Sequence, residues 1–183
     1  MPEKIKIAFD LDGVIIDKPP IISRSLLEKL FKGFSKSKKL HYRFPKSKIE
    51  QMIRKISHWY LLRPPIKRNI EFIKGIAKNP KYEIYAVSGR YSFLKRETEK
   101  WFEERKIENL FKKVCLNTEN EQPHLFKERV IKEIGARIFV DDDEVLADYL
   151  ANQLKDIKIF CLSYSSDHYG KAIKIHSLDS LLK

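Results

Sequence analysis

Residues 4–14 read KIKIAFDLDGV. Lys4 and Lys6 alternate with Ile5 and Ile7, and the run then closes on Ala8-Phe9, which is the pattern of a strand entering a buried sheet. The apolar run stops where two carboxylates begin, Asp10 and Asp12, followed by Gly13-Val14. Two acids two residues apart at a strand end, next to a glycine, can present both carboxylates to one pocket. Surface turns also produce Asp-x-Asp, so the surrounding chain has to decide between the two.

Reading outward, the chain alternates. The spacing predicts helices over 66–78, 93–106, 125–134 and 144–154, and strands over 82–87, 112–116, 137–140 and 157–162, with a strand-helix tail over 173–182. Strands alternating with helices imply right-handed crossovers and a parallel sheet, so the expected fold class is α/β, a doubly wound parallel sheet. The alternation is interrupted once. Two amphipathic helices, over 21–34 and 48–62, are joined by the loop-like SKSKKLHYRFPKS and closed by Pro64-Pro65. The expected organisation is a core of residues 1–17 and 66–183, with a small helical cap of residues 18–65 inserted after the first strand.

The chain has 183 residues, enough for one domain with a modest insertion, and carries a formal net charge of +12. Between Lys18 and Arg68 stand 15 basic residues opposed only by Glu28 and Glu50, so this stretch holds +13 and the remainder −1. A solvated helical face is one reading of such a run; a field for an anionic partner is the other, favoured by the near absence of opposing acids. Phe31, Phe34, Tyr42 and Phe44 interleave with Lys32, Lys36, Lys38, Lys39 and Arg43, and rings among cations suit phosphate and base together. Phe31 and Phe34 have core spacing, which leaves loop residues Tyr42 and Phe44 as the stacking candidates. His58, Trp59 and Tyr60 read as packing between cap and core. Cys115 and Cys161 sit in apolar stretches and read as buried thiols. No apolar run is long enough for a membrane span and the N-terminus runs straight into a strand, so a cytoplasmic protein is expected, its oligomeric state left open.

Two further strand ends carry chemistry. YEIYAV is followed by Ser88-Gly89-Arg90, a hydroxyl and a flexible backbone suited to phosphate oxygens, or a plain turn. RIFV is followed by Asp141-Asp142-Asp143. Adjacent carboxylates repel one another, and a hard divalent cation is the simplest thing to hold them together; a solvated acidic turn is the alternative. Ligands in doubly wound sheets bind beyond the carboxyl ends of the strands.

Asp10-x-Asp12-Gly-Val, Ser88, Lys127 and Asp141-Asp142, in this order, resemble the haloacid dehalogenase superfamily over roughly residues 4–17 and 66–163. The resemblance implies a phosphatase. In it Asp10 is the nucleophile, Asp12 the general acid and then base, and Ser88 and the Gly89 amide bind the phosphoryl group. Lys127 neutralises developing charge. It also implies Mg2+ held by the Asp10 side chain, the Asp12 carbonyl and the acidic pair, with Asp142 favoured as direct ligand and Asp141 as its neighbour. Lys127, rather than Lys112 or Lys132, falls near the start of the helix that feeds the DDD strand.

From Asp12 to Ser88 is far longer than from Ser88 to Lys127, which places the cap after the first strand. That placement, with Arg90, Thr98 and Trp101, is similar to the 5′(3′)-deoxyribonucleotidase family. It implies a nucleotide substrate with Arg90 as a candidate substrate contact; Tyr42 is a second candidate from the rings and cations of its own loop, and Trp101 reads as core packing. Ser-Gly-Arg with its following Trp helix also resembles the phosphatase half of phage polynucleotide kinases. The alternative is therefore a 3′-phosphatase, or a binding protein, acting on nucleic-acid ends through the basic cap. Protein and sugar-phosphate substrates stay open.

Overall fold

Side chains along β1 (Ile5–Phe9) alternate between two apolar layers, Ile7 and Phe9 facing one and Ala8 the other. The same period of two runs through β2 (Tyr82–Tyr91), β4 (Ile138–Asp141) and β5 (Lys158–Leu162), with β3 (Lys113–Asn117) and β6 (Ile173–Ile175) at the edges. One layer packs Ile84, Val140 and Phe160 against helices α2 (Lys67–Ala77) and α3 (Lys95–Arg105). The other packs Tyr85, Phe139 and Cys161 against α4 (Pro123–Ile134) and α5 (Glu144–Gln153). A fully buried Ile or Phe contributes roughly 1.5–3 kcal/mol, so these two layers carry the fold. The computed structural model describes residues 3–19, 40–163 and 170–182.

The sheet has six strands in the order β3-β2-β1-β4-β5-β6, and every pair is parallel. This is the expected doubly wound α/β fold. The order reverses beside β1, between β2 and β4, the point at which such sheets open a crevice. Register then fixes the site: Phe9 pairs with Ala86 on one side and Val140 on the other. Asp10, Val87 and Asp141 therefore stand at one level across the sheet, where β1 and β4 end.

Several boundaries differ from the sequence reading. β2 runs on to Tyr91 because pairing with β3 resumes past an irregularity between Ser88 and Tyr91, and a bulge there breaks the period. A 3-10 turn, Ser92–Leu94, then precedes α3. In the inserted region, helix α1 (Lys48–Ser57) is capped by Ser47, whose hydroxyl accepts from the Glu50 amide. It stops short of residue 62 because the Ser57 hydroxyl donates to the Arg54 carbonyl, and His58 Nδ1 lies 2.8 Å from the same oxygen. His58 is buried and Tyr60 packs on the core, as expected, but Trp59 is 47% exposed and meets only the edge of Tyr60. The expected first cap helix, with Phe31, Lys32 and Phe34, and the connector residues Lys36, Lys38 and Lys39 lie outside the described residues. Both cysteines are buried and unpaired.

Candidate active site

Asp10 sits at the end of the central strand, buried, its amide donating to the Val140 carbonyl. Lys127, on the first turns of α4, reaches across to the same edge. Its ammonium lies 2.8 Å from Asp10 Oδ1 and donates to Asp141 Oδ2 at 2.7 Å. Burial disfavours a charged Lys127, yet Asp10 and Asp141 outweigh it and hold the group cationic beyond the ordinary lysine range. Asp142 completes the cluster: oxygens of Asp10, Asp141 and Asp142 all lie within 4.8 Å of one another.

Three carboxylates gather round the Lys127 ammonium, with Lys18 more exposed at 3.6 Å from Asp142, and the electrostatics show that the two do not offset them. Burial pushes the Asp10 carboxyl well above the usual range; Lys127 opposes this, and Asp141 and Asp12 add to it. Burial, then Asp141, pushes Asp142 up to about 7. A further cation would relieve both. The donors are hard oxygens, and ligands at roughly 2.0–2.1 Å from an octahedral magnesium need only a small closing of the observed separations. The residues present therefore fit a hard divalent ion.

Gly13 shows how tightly the first loop abuts this cluster. Its φ is +74°, and a Cβ built there would fall 1.9 Å from Asp142 Oδ2. Any side chain at 13 would occupy the place of the Asp142 carboxylate, so glycine is needed for both conformation and space. The third acid of the DDD run has a different job. Asp143 is the N-cap of α5, its Oδ1 accepting from Val145 N at 3.1 Å and Leu146 N at 3.4 Å, while Oδ2 accepts from the Tyr42 hydroxyl at 2.9 Å. Asp143 is therefore a helix cap and stands apart from Asp141 and Asp142, which corrects the expectation that one cation gathers all three.

Asp12 is held by arginines. Arg90 grips it with two parallel bonds, Nε to Oδ2 and Nη2 to Oδ1, both 2.7 Å, and spends Nη1 on Thr98 at 3.0 Å. Arg63 Nη2 donates to the same Oδ1. Burial alone would raise the Asp12 carboxyl; Arg90 and then Arg63 overcome it and carry the group well below the usual range. Arg63 is the residue the sequence did not single out. Its carbonyl accepts from Trp101 Nε1 at 2.7 Å and Arg105 Nη2 at 3.1 Å, which fixes it beside the β1 end. Trp101 is fully buried, as expected for core packing. The one local signal for Arg63 was its place immediately before Pro64-Pro65, where the chain returns to the core.

A cleft of about 410 Å³ joins these groups, lined among others by Asp10, Asp12, Lys127, Asp141 and Asp142. Gly89, Arg90 and Tyr42 line it too. Gly89 abuts Pro123 so closely that an added Cβ would stand 2.8 Å from the proline ring. Ser88 is 1% exposed and is not among the lining residues; its hydroxyl lies 3.3 Å from the Arg90 amide, from which it accepts. Tyr42 is tied at its hydroxyl to Asp143 and at its backbone to Gln122 and Tyr91. Phe44 packs edge-on against Tyr91 at 4.9 Å and Phe93 at 6.0 Å, so it is a partner of other rings rather than a free platform. His58 is a cleft-lining group held neutral: burial, then Arg90, lowers it to about 3.

No protein-family model matches the sequence, and no curated protein does. Solved structures do match. A protein assigned as a β-phosphoglucomutase from Thermotoga maritima is similar with a TM-score of 0.63 at 13% identity, covering 97% of this chain and 96% of its own. A HAD family enzyme from Bacteroides thetaiotaomicron, in complex with magnesium and inorganic phosphate, matches with a TM-score of 0.55 at 16% identity over 90% and 96%. A chain of the Pnkp1/Rnl/Hen1 RNA repair complex matches with 0.53 at 15% identity, over 90% of this chain but 44% of that one. The fold is that of haloacid dehalogenase (HAD) superfamily hydrolases.

Proposed function

We propose that the chain is a magnesium-dependent phosphomonoesterase that works through an aspartyl phosphate formed on Asp10, with nucleotides as its substrates. One observation carries this. Asp10 ends the central strand of a HAD fold within reach of Lys127 and inside a carboxylate cluster sized for a divalent ion, with Asp12 two residues on.

Asp10 and Asp142 would hold the magnesium ion, which would supply the positive charge that lets an anionic carboxylate approach an anionic phosphoryl group. Asp142 is the better candidate for a direct ligand, because both Asp141 oxygens already accept, from Lys127 and from the Asp143 amide. Asp10 attacks phosphorus; Lys127 neutralises charge on the phosphoryl oxygens, and the Gly89 backbone lines the cleft on the β2 side. Asp12, once protonated, gives that proton to the leaving oxygen; its carboxylate then takes a proton from the water that attacks phosphorus and breaks the bond to Asp10, which regenerates both groups. The two arginines favour its ionised form, which suits the second step and makes the first the harder one.

A nucleotide substrate is supported by the Arg90–Thr98 pair behind Asp12 and by Tyr42 in the cleft wall. The second reading, a 3′-phosphatase or binding protein for nucleic-acid ends, is favoured by the +13 stretch and by the likeness to the RNA repair complex. Part of that charge is already matched from outside the stretch, however: Arg63 by Asp12, Lys18 by Asp142 and Arg68 by Asp179. We place the protein in the cytoplasm; no helix among the described residues is long and apolar enough to cross a membrane. The reading is tested by turnover of an aryl phosphate, which should vanish in chelator and return with magnesium. Full activity in chelator would reject it.

A further inference from the structure

We propose that Arg63 is a specificity-determining residue that, beside Arg90, grips a second phosphate carried on the leaving alcohol of the substrate. This rests on the phosphatase reading, because that reading fixes which side of the phosphorus the arginines border. Displacement by Asp10 is in line, so the leaving oxygen lies opposite Asp10 and Asp12 must reach it. Groups bonded to Asp12 therefore border the leaving group.

Two guanidiniums meet one carboxylate there. Arg90 is fully engaged, on both Asp12 oxygens and on Thr98. Arg63 is not: among the described residues only its Nη2 has an acceptor, and its Nε is buried with none. The Arg63 side chain is 5% exposed, so water offers little compensation for the surplus positive charge. A buried N–H without an acceptor is costly, as is the positive charge left over where two guanidiniums share one carboxylate, and a bound anionic group would relieve both. Arg63 lines the cleft. Its backbone is pinned by Trp101 and Arg105 and followed by Pro64-Pro65, so the fork is held in place before any ligand arrives. A simple nucleoside monophosphate offers this fork nothing, since its leaving alcohol is neutral. An alcohol that itself bears a phosphate matches the bidentate geometry of a guanidinium.

The test compares kcat/KM, with magnesium, for a nucleoside 3′,5′-bisphosphate against the two corresponding monophosphates, in the wild type, Arg63→Gln and Arg63→Lys. The bisphosphate is expected to be preferred by about tenfold or more, the worth of a charge-assisted hydrogen bond. Arg63→Gln should bring the ratio close to unity, and Arg63→Lys should leave it between the two. A ratio is used because loss of Arg63 also disturbs Asp12, which lowers all rates together. A 3′-phosphorylated dinucleotide forms a further arm: preference for it supports the same grip with a nucleic-acid end as the source, and preference for the bisphosphate alone supports a free nucleotide. Near-unit ratios in the wild type would overturn the inference even if Arg63→Gln fails to fold, as would a preference unchanged by Arg63→Gln. Absence of turnover for every phosphomonoester would instead sink the phosphatase reading, and this inference with it.

Discussion

Replacing Asp142 by asparagine should stabilise the metal-free protein while removing its response to magnesium. Asp142 is pushed up to about 7 by burial and by Asp141, whereas an unfolded aspartate titrates near 3.9. The folded state thus holds its proton more tightly, and ionising the group costs stability progressively as pH rises from about 4 to about 7. About three pKa units at 1.36 kcal/mol each gives roughly 4 kcal/mol as a ceiling. The side chain is 24% exposed and has Lys18 at 3.6 Å, and water screening reduces the figure to about 1–2 kcal/mol. Asparagine carries no such cost. For a domain of this size 1 kcal/mol moves Tm by about 2–4 °C. Thermal unfolding in chelator should show Asp142→Asn melting a few degrees above the wild type at pH 7.5, with a smaller gap at pH 5. With magnesium added, the wild type should rise and the variant should not. A gap that fails to widen with pH, or a variant that melts lower at pH 7.5, would refute the reasoning.

Three other perturbations bear on the same site. Lys127→Met leaves Asp10 and Asp141 buried without their cation, and should destabilise the metal-free protein by about 3–5 kcal/mol, read by urea unfolding. Gly13→Ala forces a Cβ into Asp142 at a positive φ, and should cost about 1–2 kcal/mol of stability and weaken magnesium binding measured by calorimetry; unchanged binding would contradict the packing described. Asp12→Asn should slow alkyl phosphates far more than aryl phosphates, because only the former need the proton. An equal loss for both would remove the acid role.

The parts of this molecule legible from sequence are those where local pattern and position coincide. β1 and β4 are apolar runs that stop at carboxylates, so Asp10 and Asp141 could be placed at strand ends without knowing the sheet order. Arg63 could not be found that way. Its partner lies 51 residues earlier, and its place before Pro64-Pro65 marks the chain's return to the core without saying which carboxylate it meets. Asp143 was readable but was grouped with its neighbours. An aspartate directly before EVLADYL is a helix cap by type and place, and the cap geometry separates it from the cluster. The end of β2 was missed because Ser88 to Tyr91 stays paired through a bulge that no side-chain period records.

The covalent step on Asp10 is open to one direct measurement. The wild-type protein is mixed with a phosphomonoester and magnesium, quenched in acid during turnover, digested, and its peptides weighed. A phosphate adduct on the peptide that begins the Asp10-x-Asp12 loop, absent when Asp10→Asn is treated alike, is the expected result. Turnover with no adduct at that peptide, or undiminished turnover by Asp10→Asn, would contradict it.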